Sequence, residues 1–402
     1  MAARYTVTRE IREDRRKVRA FMEEHIYPNE PFLAREDDEA EALMKELQGR
    51  VRGMGMWAPF IGPEAGGTGR GFLPYAYINE IIGRSPFAPR AFGCQAPDTG
   101  NAEILHLFGT PAQKERWLKP LVAGEIRSFF SMTEPEVSGA DPTNLQTRAV
   151  RDGDEWIVNG HKWFSSSAEG AAFGIVMANS DPEGQPHRRF SMIIVPTETA
   201  GVDIARAIPV MGHVGRGHTT HCEVYYRDVR VPVTNTLGNA GDGFLIAQKR
   251  LGPGRIHHCM RWLGQMQRAF ELMCRRALER IAFGSTLAEK QTIQNWIADS
   301  VAEIQAARLL TLHAAHKIDQ GDQARVEISL IKFFGAKVLH DVIDRAIQVH
   351  GALGITEDTP LAGMYRAARG ARIYDGPDEV HRMVVARRVL RAFREGSVWE
   401  FE

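Results

Sequence analysis

The spacing of apolar residues changes period twice along this chain, and that change constrains the fold more than any single motif. Residues 1–125 read as helices. Glu39 to Gln48 sets Leu43, Met44 and Leu47 on one side, and Thr110-Pro111 ahead of Gln113, Glu115 and Trp117 reads as a helix start with Thr110 as N-cap. The stretch Gly62-Pro-Glu-Ala-Gly-Gly-Thr-Gly-Arg-Gly71 breaks the pattern and reads as a loop. From about 126 to 235 the period falls toward two. Asp152-Gly153 is a hairpin signal ahead of Trp156–Gly160, Phe173–Met177 and Phe190–Val195 are short apolar runs, and Cys222, Val224 and Tyr226 alternate with polar neighbours before Val229 and Val231. Short strands at this spacing predict a small sheet or barrel. From 243 onward helical spacing returns. Its stripes are Ile256, Met260, Leu263, Met266, Phe270, Met273, Ala277, Ile281; then Ile293, Ile297, Val301, Ile304; then Ile331, Phe334, Val338, Val342, Ala346, Val349; then Val380, Val384 and Ala386–Phe393. Four such helices predict a bundle. The class is α+β, with segments 1–125, 126–236 and 237–402.

Lys and Arg total 50 and Asp and Glu total 50, so the formal net charge is zero. A general nucleic-acid binder carries a basic surplus, so none is expected here. No apolar run reaches the ~18 residues a membrane helix needs. Met1 to Ala20 is charged and has no apolar core, so no signal peptide and a cytoplasmic setting are expected. Cys94, Cys222, Cys259 and Cys274 form no CxxC pair and read as reduced thiols.

Several local features carry chemistry without naming it. Gly67-x-Gly69-x-Gly71 is neither a dinucleotide fingerprint nor a P-loop. His213, His218, His221, His257 and His258 are dense, but no HExxH or CxxC pair supports a metal site, and none is expected. Trp163-Phe-Ser-Ser-Ser167 lacks a hydrolase elbow. Asp375-Gly-Pro-Asp-Glu379 precedes the fourth helix. Its carboxylates suit either the helix start or an exposed general base.

Separated segments, in order, resemble the acyl-CoA dehydrogenase superfamily. They are Phe130-Ser-Met-Thr-Glu-Pro135, Asp154-Glu-Trp-Ile-Val-Asn-Gly-His-Lys-Trp-Phe-Ser-Ser166, Asp228-Val-Arg-Val-Pro232, Arg280-Ile-Ala-Phe-Gly284, Gln348-Val-His-Gly-Ala-Leu-Gly354 and Tyr374-Asp-Gly-Pro377. The resemblance spans about 30 to 395 and implies an N-terminal helical domain, a middle β-barrel and a C-terminal four-helix bundle. Leu251-Gly-Pro-Gly-Arg-Ile-His-His-Cys-Met-Arg261 and Tyr374-Asp-Gly-Pro-Asp-Glu-Val-His381 resemble the branch of dehydrogenase domains fused to kinase-like domains and their free-standing bacterial relatives; this chain's length holds only the dehydrogenase.

The resemblance implies an FAD-dependent α,β-dehydrogenation of an acyl-CoA thioester. A carboxylate takes the α proton while the β hydride goes to flavin N5. The thioester oxygen needs donors as enolate character develops. By resemblance these are the backbone N–H of the base residue and a ribityl hydroxyl. The family's base position holds Asp375, followed by Gly376 beside the substrate. The alternative base position, ahead of Arg255, holds Gly254. The resemblance places Met132 and Thr133 at the flavin edge, Phe164 as its aromatic wall and Ser166 at N5. Arg280, Phe283, Gln348 and Gly351 reach the pyrophosphate and adenine side of a neighbouring subunit's FAD. Ser138 and Gly139 line the CoA entrance, in a segment one residue longer than the common pattern, and Arg255, at the active-site end of the first bundle helix, binds substrate. Ala282, Pro377 and Glu379 depart from the family's residues and remove contacts.

The polar set His213, Arg216, His218, His221, Arg255, His257 and His258 suggests a polar acyl chain, such as 4-hydroxy- or 4-phosphooxyacyl-CoA. An electron-transfer flavoprotein as acceptor, a homodimer or homotetramer, and a place in fatty acid metabolism are further implications. A nitroalkane-oxidase-like flavoprotein oxidase is the alternative. A DNA-associated non-catalytic relative would want a basic tail, whereas Glu395, Glu400 and Glu402 close this chain.

Overall fold

A computed structural model describes residues 5–398. Residues 1–4, at the start of the segment read as lacking a leader, and Glu400 and Glu402 of the acidic end lie outside the described residues. In chain order come α1 (Arg9–Phe21), α2 (Asp38–Gly53), α3 (Phe72–Ile82) and α4 (Asp98–Phe108). Strands β1 (Ser128–Ser131), β2 (Arg148–Asp152), β3 (Glu155–Ser166) and β4 (Phe173–Asn179) follow. Then come β5 (Phe190–Pro196), β6 (Val202–Ala207), β7 (His221–Pro232) and β8 (Thr236–Leu237). After these lie α5 (Gly243–Glu279), a hairpin of β9 (Ile281–Ala282) and β10 (Ser285–Thr286), α6 (Gln291–Asp319), α7 (Arg325–His350), α8 (Leu361–Gly370) and α9 (Asp378–Arg394).

The helical, sheet, helical order matches the reading from periodicity. Thr110 Oγ1 accepts the Gln113 amide at 3.2 Å, as an N-cap should. Two differences have simple causes. Helix α3 is buried on every side from Tyr75 to Ile82, so it shows no amphipathic stripe. The stripe ending at Ile281 overruns its helix: α5 stops at Glu279, and Ile281 lies exposed on the β9–β10 hairpin.

Two compact units divide the chain. One gathers the segment up to Pro31, Gly71–Pro89 and the chain from Arg255 onward; the other holds Phe32–Arg70 and Arg90–Gly254. In the helical unit, α3 lies against α5 where glycines remove side chains. A Cβ on Gly83 would sit 2.3 Å from Arg261 Cα, and one on Gly264 would sit 2.1 Å from the Glu80 carbonyl oxygen. Arg308 of α6 holds Glu80 of α3 with a fork, Nε at 3.1 Å and Nη2 at 2.8 Å from the two oxygens. Helix α7 packs against α6, α8 and α9.

The other unit is built on one eight-stranded sheet, ordered β6-β7-β3-β2-β4-β5-β8, with β1 parallel to β4. Strands β4 and β5 are buried on both faces, which is why they read as unbroken apolar runs, while β7 alternates. Phe129, Trp156, Val158, Val176, Val195, Val224, Tyr226 and Val231 belong to its core.

One buried ion pair ties β3 to the segment after β1. Lys162 Nζ donates to Glu134 Oε1 at 2.8 Å and to the Met132 carbonyl at 2.7 Å, and both side chains are shut off from solvent. Glu134 also accepts the amides of Gln146 at 2.6 Å and Thr147 at 2.9 Å. Burial pushes the Lys162 ammonium down to about 8, against the pull of Glu134. Burial also pushes Glu134 up, but Lys162 and the amides outweigh it and hold the carboxyl below its usual range. Replacing Lys162 with Met strands the carboxylate. Lys162→Met is expected to lower stability by ~3–5 kcal/mol in urea unfolding at pH 7. A loss below ~1 kcal/mol would show that the pair is not what holds this segment.

Candidate active site

The chain between α8 and α9 turns on two consecutive residues in left-handed backbone, Asp375 at φ 54° and Gly376 at φ 102°. Such a conformation costs a non-glycine residue about 1–3 kcal/mol and persists only where the surroundings fix it. Here the backbone is gripped from three helices. Arg255 Nε of α5 donates to the Asp375 carbonyl at 2.7 Å, and His381 Nε2 of α9 donates to the same oxygen at 3.2 Å. Lys332 Nζ of α7 donates to the Ala371 carbonyl at 2.7 Å and the Gly376 carbonyl at 3.2 Å. Lys332 is fully buried, its ammonium 5.5 Å from the Trp262 ring centre and 5.4 Å from that of Tyr374.

These grips bind the backbone of Asp375 rather than its carboxylate. Its side chain is 21% exposed, and one oxygen lies 3.2 Å from His258 Nε2. Asp378, three residues on, is different. It is buried and accepts Arg372 Nε at 2.8 Å, and Pro377 at the start of α9 contributes no side-chain cap. The three carboxylates of the acidic segment therefore differ: Asp378 braces the turn, Asp375 is partly exposed beside His258, and Glu379 is exposed.

Helical spacing explains the grip from α5. Arg255, His258 and Trp262 recur at i, i+3 and i+7, on one side of that helix. His258 packs its ring 4.7 Å from Tyr374, and Trp262 Nε1 donates to the Tyr374 hydroxyl at 3.0 Å. Burial pushes His258 down to about 4, despite the pull of Asp375, and His381 also down to about 4. Arg255 is lowered by burial too, with Asp375 opposing. A Cβ on Gly376 would meet His381 Nε2 at 2.8 Å.

A second group of candidates lies on the sheet. The β3–β7 register slips between Lys162 and Ser165, and Phe164 takes φ 50° there and turns its ring outward, 41% exposed. Ser166 Oγ lies 2.7 Å from His221 Nδ1, and the Phe164 and His221 rings are 5.9 Å apart. The Trp163 amide donates to the Thr133 carbonyl at 3.0 Å, so Met132 and Thr133, both partly buried, run beside Phe164. Ser138 and Gly139 are exposed, and a Cβ on Gly139 would touch Thr133 Cγ2 at 3.0 Å. The structure thus gathers Met132, Thr133, Phe164, Ser166 and Gly139 in one place.

The remaining candidates lie elsewhere. Arg280 is exposed where α5 ends, and Phe283 stands at the hairpin tip at φ 53°, 99% exposed. Gln348 is exposed in the last turn of α7, and Gly351 follows that helix at φ 63°. The polar set does not form one cluster. His213 and Arg216 pair with Glu36 and Asp38, His257 packs between Phe72 and Tyr75, and only Arg255 and His258 meet Asp375. Sequence reasoning did not single out Lys332, which lies hidden inside an apolar stripe, nor His381.

The sheet residues fit a flavin. They offer an outward aromatic face, a hydroxyl at a strand end, and the buried Trp163 indole N–H, which has no acceptor among the described residues. Arg280 offers an exposed fork suited to a pyrophosphate.

Three family models match: the acyl-CoA dehydrogenase N-terminal domain over residues 8–125, its middle domain over 129–229 and its C-terminal domain over 241–390. FadE2 of Mycobacterium tuberculosis, named a probable acyl-CoA dehydrogenase, is 47% identical over 388 residues, which cover 94% of each chain. Acyl-CoA dehydrogenase family member 11 of Rattus norvegicus is 43% identical over 93% of this chain, which spans 50% of that longer protein. Butyryl-CoA dehydrogenase from Megasphaera elsdenii superposes with a TM-score of 0.85 at 29% identity, covering 96% of this chain and 100% of the other.

Gly376→Ala forces a Cβ onto His381 in a backbone region unfavourable to alanine. It should cost about 1–3 kcal/mol in thermal or urea unfolding; an unchanged midpoint would contradict the geometry. His258 and His381 have folded pKa values near 4 against about 6.5 unfolded. The unfolded chain therefore binds protons that the folded chain refuses, and stability present above pH 6.5 is lost as pH falls toward 4. The two histidines contribute at most ~2.7 kcal/mol per pH unit, which urea titrations between pH 7 and 5 would read. A pH-independent midpoint would be the contrary result.

Proposed function

This chain belongs to the acyl-CoA dehydrogenase family of FAD-dependent oxidoreductases, and we propose that it desaturates an acyl-CoA thioester with Asp375 as the base. The observation that carries this reading is the Asp375 turn. Its backbone is fixed by Arg255, His381 and Lys332, while its carboxylate stays accessible. A base must be held still and yet reach its substrate.

In the proposed reaction the Cα–H bond gives its proton to Asp375 and the Cβ–H bond gives up a hydride, leaving a carbon–carbon double bond. Bound FAD supplies the two-electron acceptor for that hydride. The backbone N–H of Asp375 donates to the thioester oxygen as negative charge develops there, and Gly376 lets the substrate approach the backbone closely. Arg255 acts on Asp375 through its carbonyl and is a positioning residue. Phe164, Met132 and Thr133 would hold the flavin ring, Ser166 would offer it a hydroxyl, and Ser138 and Gly139 would border the CoA chain. Arg280, Phe283, Gln348 and Gly351 would hold the FAD of a neighbouring subunit. The exposed Phe283, and Leu390 and Phe393 on α9, support a homodimer or homotetramer.

The proposal extends to a 4-hydroxy- or 4-phosphooxyacyl chain, resting on the resemblance of residues 251–261 and 374–381 to the kinase-fused branch rather than on the scattered polar set, and to an electron-transfer flavoprotein as electron acceptor, a place in fatty acid metabolism and a cytoplasmic setting. It keeps the division 1–125, 126–236 and 237–402. Among the described residues, no helix is long and apolar enough to cross a membrane.

Purified protein should be yellow, with about one FAD per chain. Anaerobic addition of acyl-CoAs should bleach the flavin. Asp375→Asn should keep its flavin and lose about 10³-fold or more in the bleaching rate; undiminished bleaching would remove Asp375 from its role. With matched chains, the 4-oxygenated acyl-CoA should give the higher kcat/KM. Equal or better turnover of the plain chain would sink the substrate assignment.

A further inference from the structure

We propose that His258 is the positioning residue of the base: a neutral imidazole, held in one tautomer by Arg261, that donates its Nε2 proton to the Asp375 carboxylate. The inference rests on the reading of Asp375 as base.

The argument is one of donors and acceptors. Arg261 Nη2 lies 3.1 Å from His258 Nδ1. A guanidinium can only donate, so Nδ1 must accept, and it carries no proton. In a neutral ring the proton is then on Nε2, the nitrogen 3.2 Å from Asp375 Oδ2. An ionised carboxylate can only accept, so both ends of the ring agree on one tautomer. Arg261 and His258 are three residues apart on α5, so the helix itself sets the first contact.

The ring is also wedged in place. Tyr374 lies 4.7 Å away at 45°, and Trp262 stacks at 6.1 Å and 26°. The charged and titratable groups acting on it are Asp375 from the turn, Arg261 from its own helix and Lys332 from α7. Two of the three are cations, which oppose a second proton on the ring. Burial acts the same way. His258 therefore stays a donor of fixed direction through the neutral range.

Two consequences distinguish this role from a substrate contact. Both ring nitrogens are committed, so His258 has no polar atom left for a hydroxyl or phosphate on the acyl chain. And a hydrogen bond to the ionised form makes the carboxylate less basic than it would be alone, while fixing how the carboxylate is turned.

The test uses the FAD-loaded enzyme and three variants. His258→Leu removes the donor. His258→Gln keeps an amide N–H near the place of Nε2. In His258→Leu the acid limb of the reductive-rate profile should move to higher pH by roughly one to two units. The maximal bleaching rate should fall on the order of 10²-fold, with acyl-CoA affinity changed less than about threefold. His258→Gln should recover most of both. The ring is also read without turnover: nitrogen-15 histidine spectra, assigned by the signals missing in His258→Gln, should show an Nε2-protonated, non-titrating ring from pH 6 to 8. An Nδ1-protonated ring, or titration near 6.5, overturns the proposal. So does a His258→Leu enzyme with an unmoved acid limb, or a His258→Gln enzyme no better than Leu. Asp375→Asn separates the two readings. If it still bleaches, the base assignment falls; if it is inactive while His258→Leu behaves as wild type, only the role of His258 falls.

Discussion

A single carbonyl oxygen, that of Asp375, receives both Arg255 and His381, and the reactive end of this chain depends on that convergence. The turn around it is unfavourable by itself, because Asp375 sits in left-handed backbone. Side chains from different helices supply what the local sequence lacks. Lys332 adds a buried cation whose donors go to backbone carbonyls of the same turn. Burying an ammonium is costly unless every donor finds a partner, so a turn that moved would strand it. The bundle's packing and the turn's geometry are therefore one problem: the helices must be in place before the carbonyls have donors.

The sheet solves a similar problem with a different device. Lys162 and Glu134 are both buried, and each satisfies backbone as well as its partner. Their pairing fixes the Met132 carbonyl while the neighbouring register slip turns Phe164 outward. In both places a buried charge secures main chain, and an adjacent residue with positive φ presents a side chain to solvent. Phe164 and Asp375, two of the non-glycine residues with positive φ, are both residues to which chemistry is proposed, as expected when function and local stability compete.

What the sequence revealed and what it hid follow from the same physics. Half-buried elements announce themselves: α6 and α7 are striped, and β7 alternates. Helix α3 has no dry and wet side, so nothing in its pattern marks it. The apolar residues of α9 form a pattern, yet Leu390 and Phe393 are exposed, and only Asp378 and His381 of that helix are buried. In sequence, Asp375 and Asp378 are equivalent acids beside a helix start. Backbone conformation and Arg372 tell them apart, and neither is legible from spacing. Resemblance, rather than pattern, singled out Asp375, Phe164 and Ser166. The direction of the His258 proton depends on Arg261's fork and could be found only in three dimensions.

The residue after Asp375 has to be glycine, since φ is 102° there and His381 fills the space a Cβ would need. That requirement has a chemical cost. In an Asp–Gly pair no side chain shields the glycine amide nitrogen, which can attack the preceding carboxyl carbon, expel water and close a succinimide ring. The ring reopens mainly to isoaspartate, which lengthens the main chain by one carbon and shortens the arm bearing the acid. Ring closure needs the main chain to rotate, and Arg255, His381 and Lys332 restrain that main chain. The same contacts therefore bear on how long this carboxylate survives intact.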